Sequence, residues 1–167
     1  MKVKSISKRI SAVLLCLVLL TSLLSVGALA ADTGIPYIDE NGDEQTRTSA
    51  TEVAEGVTEW TGSDSDGGWY VVNSTLTISE RVNVTGDVHL ILADGNTLNA
   101  AKGITVNGGN SLTIYGQAEG TGALTADGGS SQAGIGGGNL GQSGGAITIN
   151  GGKVTANGGD GGAGGNV

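Results

Sequence analysis

Ala123-Leu-Thr-Ala-Asp-Gly-Gly129 recurs as Lys153-Val-Thr-Ala-Asn-Gly-Gly159, and the segments on either side recur with it. Ser111-Leu-Thr-Ile-Tyr-Gly116 returns as Ala146-Ile-Thr-Ile-Asn-Gly151, and the Ala133-Gly134 that precedes Ile-Gly-Gly-Gly138 returns as Ala163-Gly164. Segments that repeat in the same order define one structural unit used more than once, the mark of a solenoid. Each short segment alternates apolar and polar residues and closes on Gly or Asn-Gly, a strand followed by a turn.

Three coils can be drawn on that pattern. Arg81–Val84, Val88–Leu92 and Thr97–Ala100 form one, Gly103–Val106, Ser111–Ile114 and Ala123–Ala126 the next. Gly134–Gly137, Ala146–Ile149 and Lys153–Ala156 form the last, while Trp69–Val72 and Thr75–Ile78 open the array. Arg81 to Gly103 spans 22 residues and Gly103 to Gly134 spans 31, so the second coil has the longer turns. Strands this short cannot bury a face alone, but each can pair along its backbone with its copy about 4.8 Å away. The expected fold is therefore all-β: a right-handed parallel β-helix of about three coils, incomplete, after a signal peptide and a short acidic leader. Ile104, Leu112, Leu124, Ile147 and Val154 should line one aliphatic interior. Thr105, Thr113, Thr125, Thr148 and Thr155 should face outward, where β-branched residues suit a pleated surface. A flat sandwich, or a glycine-rich disordered end beyond Gly128, is the rival reading.

Residues 1–30 read as a targeting signal. Lys2, Lys4, Lys8 and Arg9 precede an apolar run from Ile10 to Leu24, and Ala28-Leu-Ala30 supplies the small–x–small cleavage pattern. Beyond it only Arg47, Arg81, Lys102 and Lys153 oppose 16 carboxylates, which leaves a net charge of −12. So acidic a body repels nucleic acid and suits an extracellular protein. The one cysteine, Cys16, lies inside the signal, so the mature chain has no disulfides, a pattern that fits a bacterial surface protein. Residues 31–68 read as an acidic leader or an N-terminal cap, with a hairpin signalled at Asn41-Gly42 and Thr51–Trp60 either helical or extended. Residues 69–167 carry the repeats.

Trp69-Tyr-Val-Val72, His89-Leu-Ile-Leu-Ala-Asp-Gly95, Ala133-Gly-Ile-Gly-Gly-Gly138 and Ile147-Thr-Ile-Asn-Gly-Gly152 resemble the Gly-rich β-helix repeats of large surface proteins of gut Gram-positive bacteria. Those proteins are similar in shape to the pectate-lyase superfamily and to adhesin stalks. The resemblance implies the front of a longer array or a truncated product. It implies a role in adhesion, with host or plant glycans or other surface proteins as partners.

Catalytic patterns are sparse. His89 is the only histidine, placed on a strand surface by alternation, and no Ser–His–Asp set can be built around it. Arg81, Asp87 and Asp94 lie near one coil, but both carboxylates precede or follow turn glycines, where they serve structure. Gly136–Gly141 matches a dinucleotide fingerprint by letter, with no helix pattern after it. Gly158–Ala163 begins like a calcium-binding nonapeptide but has Ala163 in an aspartate position. Asp39–Asp43 and Asp64–Asp66 begin like calcium loops without the required glycine. No enzyme and no cofactor are expected, with loosely bound calcium as the one metal the acidic surface invites. Sugars stack on flat rings, so Trp60, Trp69 and Tyr70 are the candidate carbohydrate contacts; the competing reading makes the two tryptophans a plug for the open N-terminal end.

Overall fold

The structure is a computed structural model that describes residues 34–63, 65–138 and 142–161. The expected signal peptide at 1–30, Asp64, the end of the Gly136–Gly141 match and the end of the Gly158–Ala163 match lie outside the described residues. Among the described residues all regular elements are strands. β1 (Ile35–Ile38) and β2 (Glu44–Arg47) form an antiparallel hairpin, followed by the short β3 (Thr51–Glu52). A first coil then comprises β4 (Glu59–Gly62), β5 (Gly68–Val72) and β6 (Leu76–Ile78). The next is β7 (Val82–Leu92) and β8 (Thr97–Ala100), and after it β9 (Ile104–Val106), β10 (Ser111–Gly116) and β11 (Ala123–Asp127). The last is β12 (Ile135–Gly136), β13 (Ala146–Ile149) and β14 (Lys153–Asn157).

Every strand from β3 onward pairs in parallel with its copy one coil away, so the fold is a parallel β-helix. One face holds β4, the first half of β7, β9 and β12. A second holds β3, β5, the second half of β7, β10 and β13. The third holds β6, β8, β11 and β14. The three expected coils are present in the expected register, with Leu98 beside Leu124 and Leu124 beside Val154. A further coil precedes them, because Glu59–Gly62 pairs with Asn83–Gly86 and so belongs to the stack rather than to a separate leader. The open choice at Thr51–Trp60 resolves as extended.

β7 runs through a corner without a break. Gly86 makes this possible: its φ of 78° is favourable only for glycine, and a side chain there would strike the Gly62 carbonyl one coil below. The longer second coil places its extra residues in the turns at 117–122 and 128–134.

Inside, identical register positions make columns: Tyr70–Leu90–Ile114–Ile149, Val88–Leu112–Ile147 and Leu76–Leu98–Leu124–Val154. Leu90, Leu98, Ile104, Leu112, Ile114 and Leu124 are completely buried. Each such side chain contributes about 1.5–3 kcal/mol by leaving water. The strand phase is as expected, but Ile147 is not part of a closed interior. It is 39% exposed and Ile149 53%, because among the described residues β13 has β10 as its one sheet neighbour and the column is covered on that side alone. Thr105 departs in the other direction. It faces outward yet is 7% exposed, covered by the Arg81 side chain and by Gly138.

These positions separate burial from mere phase. Leu112→Asp should cost several kcal/mol, since a carboxylate would enter a dry column with no cation beside it. Ile147→Asp should cost only about 1 kcal/mol, and Thr148→Asp about the same or less, as expected for surface substitutions. Urea melts of the three variants measure this; a Leu112→Asp midpoint equal to that of Ile147→Asp would rule out the column.

Candidate functional site

The outer surface of the second face is unusual for this chain. Trp69 and Val71 on β5, His89 and Ile91 on β7, and Thr113 and Tyr115 on β10 all point away from the interior, and Val71, Ile91 and Tyr115 share one register column. A second small core forms there from Val71, Ile91 and Tyr115, packed against Ile35, Tyr37, Ala50, Trp69 and Ala93. The β1–β2 hairpin supplies the cover. Its turn is held by Asp39, whose Oδ1 accepts the Asn41 and Asp43 backbone N–H groups, both at 2.9 Å, and Gly42 takes a φ of 84°. Those amides, the Asp43 N–H first, hold the Asp39 carboxyl below its usual pKa. The hairpin signal at Asn41-Gly42 was therefore sound, and Asp39 is engaged in turn geometry. Gln117 Nε2 donates to the Pro36 carbonyl at 2.8 Å and ties hairpin to coil.

Under the hairpin lies an aromatic cluster. His89 stacks on Trp69 at 4.4 Å between ring centres, Tyr115 on Trp69 at 5.4 Å, and Tyr37 meets Trp69 at 5.1 Å and Tyr115 at 4.9 Å. Arg47, at the end of β2, sets its guanidinium 4.4 Å from the Trp69 ring centre and pairs with Asp66 at 2.7 Å. The cation–π contact and the ion pair hold the open end of the hairpin down. His89 is thus a packed residue, its side chain 16% exposed, with Nε2 3.4 Å from Asp87 Oδ2 and Nδ1 3.3 Å from the Tyr115 hydroxyl. Burial pushes the Tyr115 pKa up to about 12, and the neighbouring Tyr37 and acidic side chains push the same way. Burial likewise raises Tyr37, against the pull of Arg47.

The three candidate carbohydrate contacts do not form a platform. Trp60 is fully buried and Tyr70 is 8% exposed, both inside the coil, with rings stacked at 5.6 Å. The Tyr70 hydroxyl accepts the Thr61 N–H at 2.8 Å. Alternation explains the split: Trp60 and Tyr70 take inward positions, while Trp69 is one residue out of phase with Tyr70 and faces outward. Trp60 does plug the N-terminal end of the interior; Trp69 does not join it. The π-surface of Trp69 is already used by an imidazole, a guanidinium and two phenols. What remains beside it is an open cleft of about 360 Å³ lined by Arg47, Ser49, Thr51, Thr61, Trp69 and Tyr70.

Arg81, Asp87 and Asp94 sit at three different corners of one coil, and each is spent on structure. Arg81 Nε donates to Thr105 Oγ1 at 2.6 Å, Nη1 to the Lys102 carbonyl at 2.6 Å and Nη2 to the Ala133 carbonyl at 3.0 Å. Burial lowers its pKa from the ordinary guanidinium value. Asp87 accepts the Ser111 hydroxyl in the next coil. Asp94 accepts the Glu119 and Thr121 N–H groups, both at 2.9 Å. Desolvation alone would raise the Asp94 pKa, but these amides, the Thr121 hydroxyl and the Gly122 N–H together leave it lowered. Among the described residues no group of three or more His, Cys, Asp or Glu side chains is placed to hold a metal ion. Compared with protein-family models, curated proteins and solved structures, the chain matches none.

The residues that sequence reasoning missed are Arg47, Tyr37 and Tyr115. A signal for Tyr115 existed: outward positions on three successive strands, β5, β7 and β10, are large and apolar, which a solvated β-helix face does not require.

Two outcomes follow. Trp60→Ala should cost about 3–5 kcal/mol, as for other buried aromatics, whereas Trp69→Ala should leave the coils intact and expose the hairpin to protease. Chemical denaturation with mass-mapped limited proteolysis distinguishes them, and first cleavage inside the coils of Trp69→Ala would refute the assignment. The Tyr115 shift also fixes an alkaline limit. A folded pKa above the unfolded value means the unfolded chain loses the proton first, so stability should fall as pH rises above about 10. Tyr115→Phe should flatten that decline in urea melts across the alkaline range; an unchanged slope would contradict it.

Proposed function

We propose that the chain is a non-catalytic, secreted or cell-surface β-helical module with a structural or adhesive role. The observation that carries this reading is the engagement of its chemically capable side chains: Arg81, Asp87 and Asp94 tie successive coils together, and His89 is packed beneath Trp69. A stack whose polar groups serve coil-to-coil bonding is suited to rigidity and display. Export rests on the basic and apolar pattern of residues 1–30, and the acidic mature surface suits a solvated extracellular body. A kinship with the Gly-rich surface repeats of gut Gram-positive bacteria belongs to the same proposal.

A second reading, carbohydrate binding, is favoured by one observation: the cleft beside Trp69 presents the Ser49, Thr51 and Thr61 hydroxyls next to the Arg47 guanidinium. Hydroxyl-rich ligands suit such a lining, and ring stacking would have no part in it. The two readings separate in one experiment on the purified chain with plant and host polysaccharides. The structural reading expects no new reducing ends, no unsaturated products and no retardation in affinity gels. Retardation abolished by Arg47→Ala, with the circular dichroism spectrum unchanged, would establish the cleft as a binding site. Release of any cleaved product would overturn the non-catalytic assignment.

A further inference from the structure

The turn that leads into β5 sets a carboxylate against the cation of the cleft beside Trp69. Trp69 Nε1 donates to the Asp66 carbonyl at 3.1 Å. Gly67 bends the chain with a φ of 73°, and a side chain there would strike the His89 ring. The stacked rings of Trp69 and His89 thus fix the backbone that carries Asp66. Its side chain, 67% exposed, accepts Arg47 Nη2 at 2.7 Å. That bond leaves Arg47 under-used: the guanidinium carries five N–H donors, and its Nε is buried with no hydrogen-bond partner.

Resting on the carbohydrate-binding reading of this cleft, we propose that it takes a short segment of an uncharged glycan and that Asp66 selects against acidic sugars. Size is the first argument. At about 360 Å³ the cleft lies near the small end of ligand sites, roughly 300–1,000 Å³, and being open it suits one stretch of a chain whose ends run on. Hydrogen-bonding character is the second. A sugar hydroxyl both donates and accepts, whereas Arg47 only donates and Asp66 only accepts, so neighbouring hydroxyls of one sugar ring meet one of each. The exposed Ser49, Thr51 and Thr61 side chains can do either.

Charge decides between neutral and acidic sugars. Arg47 is the only charged residue lining the cleft, and Asp66 already neutralises it. A uronate carboxylate would have to compete with Asp66 for the guanidinium and approach a mature body of net charge −12. An uncharged hydroxyl faces neither penalty, and a difference of this kind is what makes a site specific.

The test is titration calorimetry on the full chain with three pairs of hexasaccharides. One member of each pair is an oligomer of galacturonate, glucuronate or mannuronate, and the other is the same oligomer with its carboxyls reduced to give galactose, glucose or mannose. At least one neutral member should bind, and its uronate twin should not. Arg47→Ala should weaken that binding about tenfold or more. Thr61→Val, which keeps a β-branched residue in β4 and removes one hydroxyl, should weaken it about threefold. Asp66→Asn should admit the uronate twin, with an affinity that falls as salt rises. Circular dichroism should be unchanged in all three variants. A uronate bound by the unaltered chain, or an Asp66→Asn variant that still rejects it, would overturn the selection and leave the carbohydrate reading standing. Neutral binding indifferent to Arg47→Ala would overturn the site, and no binding by any of the six oligomers would overturn the proposal and that reading together.

Discussion

The whole structure depends on the in-register parallel pairing of each strand with its copy one coil away. Strands of two to six residues bury too little to stand alone, and even the eleven-residue β7 divides its length between two faces. Pairing in register turns isolated residues into columns, and a column such as Leu76–Leu98–Leu124–Val154 is dry only because every coil contributes to it. The corners must then superpose as well. Gly62 and Gly86 lie one above the other with no room for a side chain at either, so the backbone geometry of one corner constrains the next. Energetically this is a nearest-neighbour system: each coil is stabilised by the coils it touches and by little else.

Polar residues are drawn into the same task. Asp94 bonds the turn of the following coil, Arg81 reaches carbonyls at Lys102 and Ala133, and Asp87 takes the Ser111 hydroxyl. Such bonds satisfy turn groups that sheet pairing leaves over. They also explain why a carboxylate and an arginine close in sequence need not make a catalytic pair: with one at each corner of a three-sided coil, they face different directions. The outer aromatic cluster follows a related logic. A hairpin laid across the second face buries Val71, Ile91 and Tyr115, and the rings that would otherwise offer a sugar its stacking surface are consumed in holding that hairpin.

The coil architecture was legible because the alternation Leu-Thr-Ile and Val-Thr-Ala encodes side-chain direction residue by residue. Corresponding words in successive repeats then give the register without further information. Phase, however, is not burial. Leu112 and Ile147 hold the same position in their coils and differ from 0% to 39% exposure, since burial in a solenoid depends on neighbours above and below as well as on direction. Nor did phase reveal what lies outside the helix. Trp69 and Tyr70 are adjacent in sequence and were grouped with Trp60, yet alternation sends Tyr70 inward to Trp60 and Trp69 outward to Arg47. Arg47 comes from a segment with no repeat, so no pattern in the coils announced it. Thr105 likewise reads as an outward residue and is one, but the long Arg81 side chain from the preceding coil lies over it.

Repetition itself is the feature of greatest reach. A repeat unit that buries itself only against its copies has no intrinsic stopping point, so each terminus needs its own solution. In the first coil the repeat gives way to chemical variety: an indole large enough to fill the interior and a phenol stacked on it. At β13, the outermost strand of its sheet among the described residues, the Ile-Thr-Ile word that pairs with β10 has the same backbone geometry on its other edge. Regularity stabilises the middle of a solenoid and exposes its end, because the features that make a coil a good neighbour for the last one make it a good neighbour for the next.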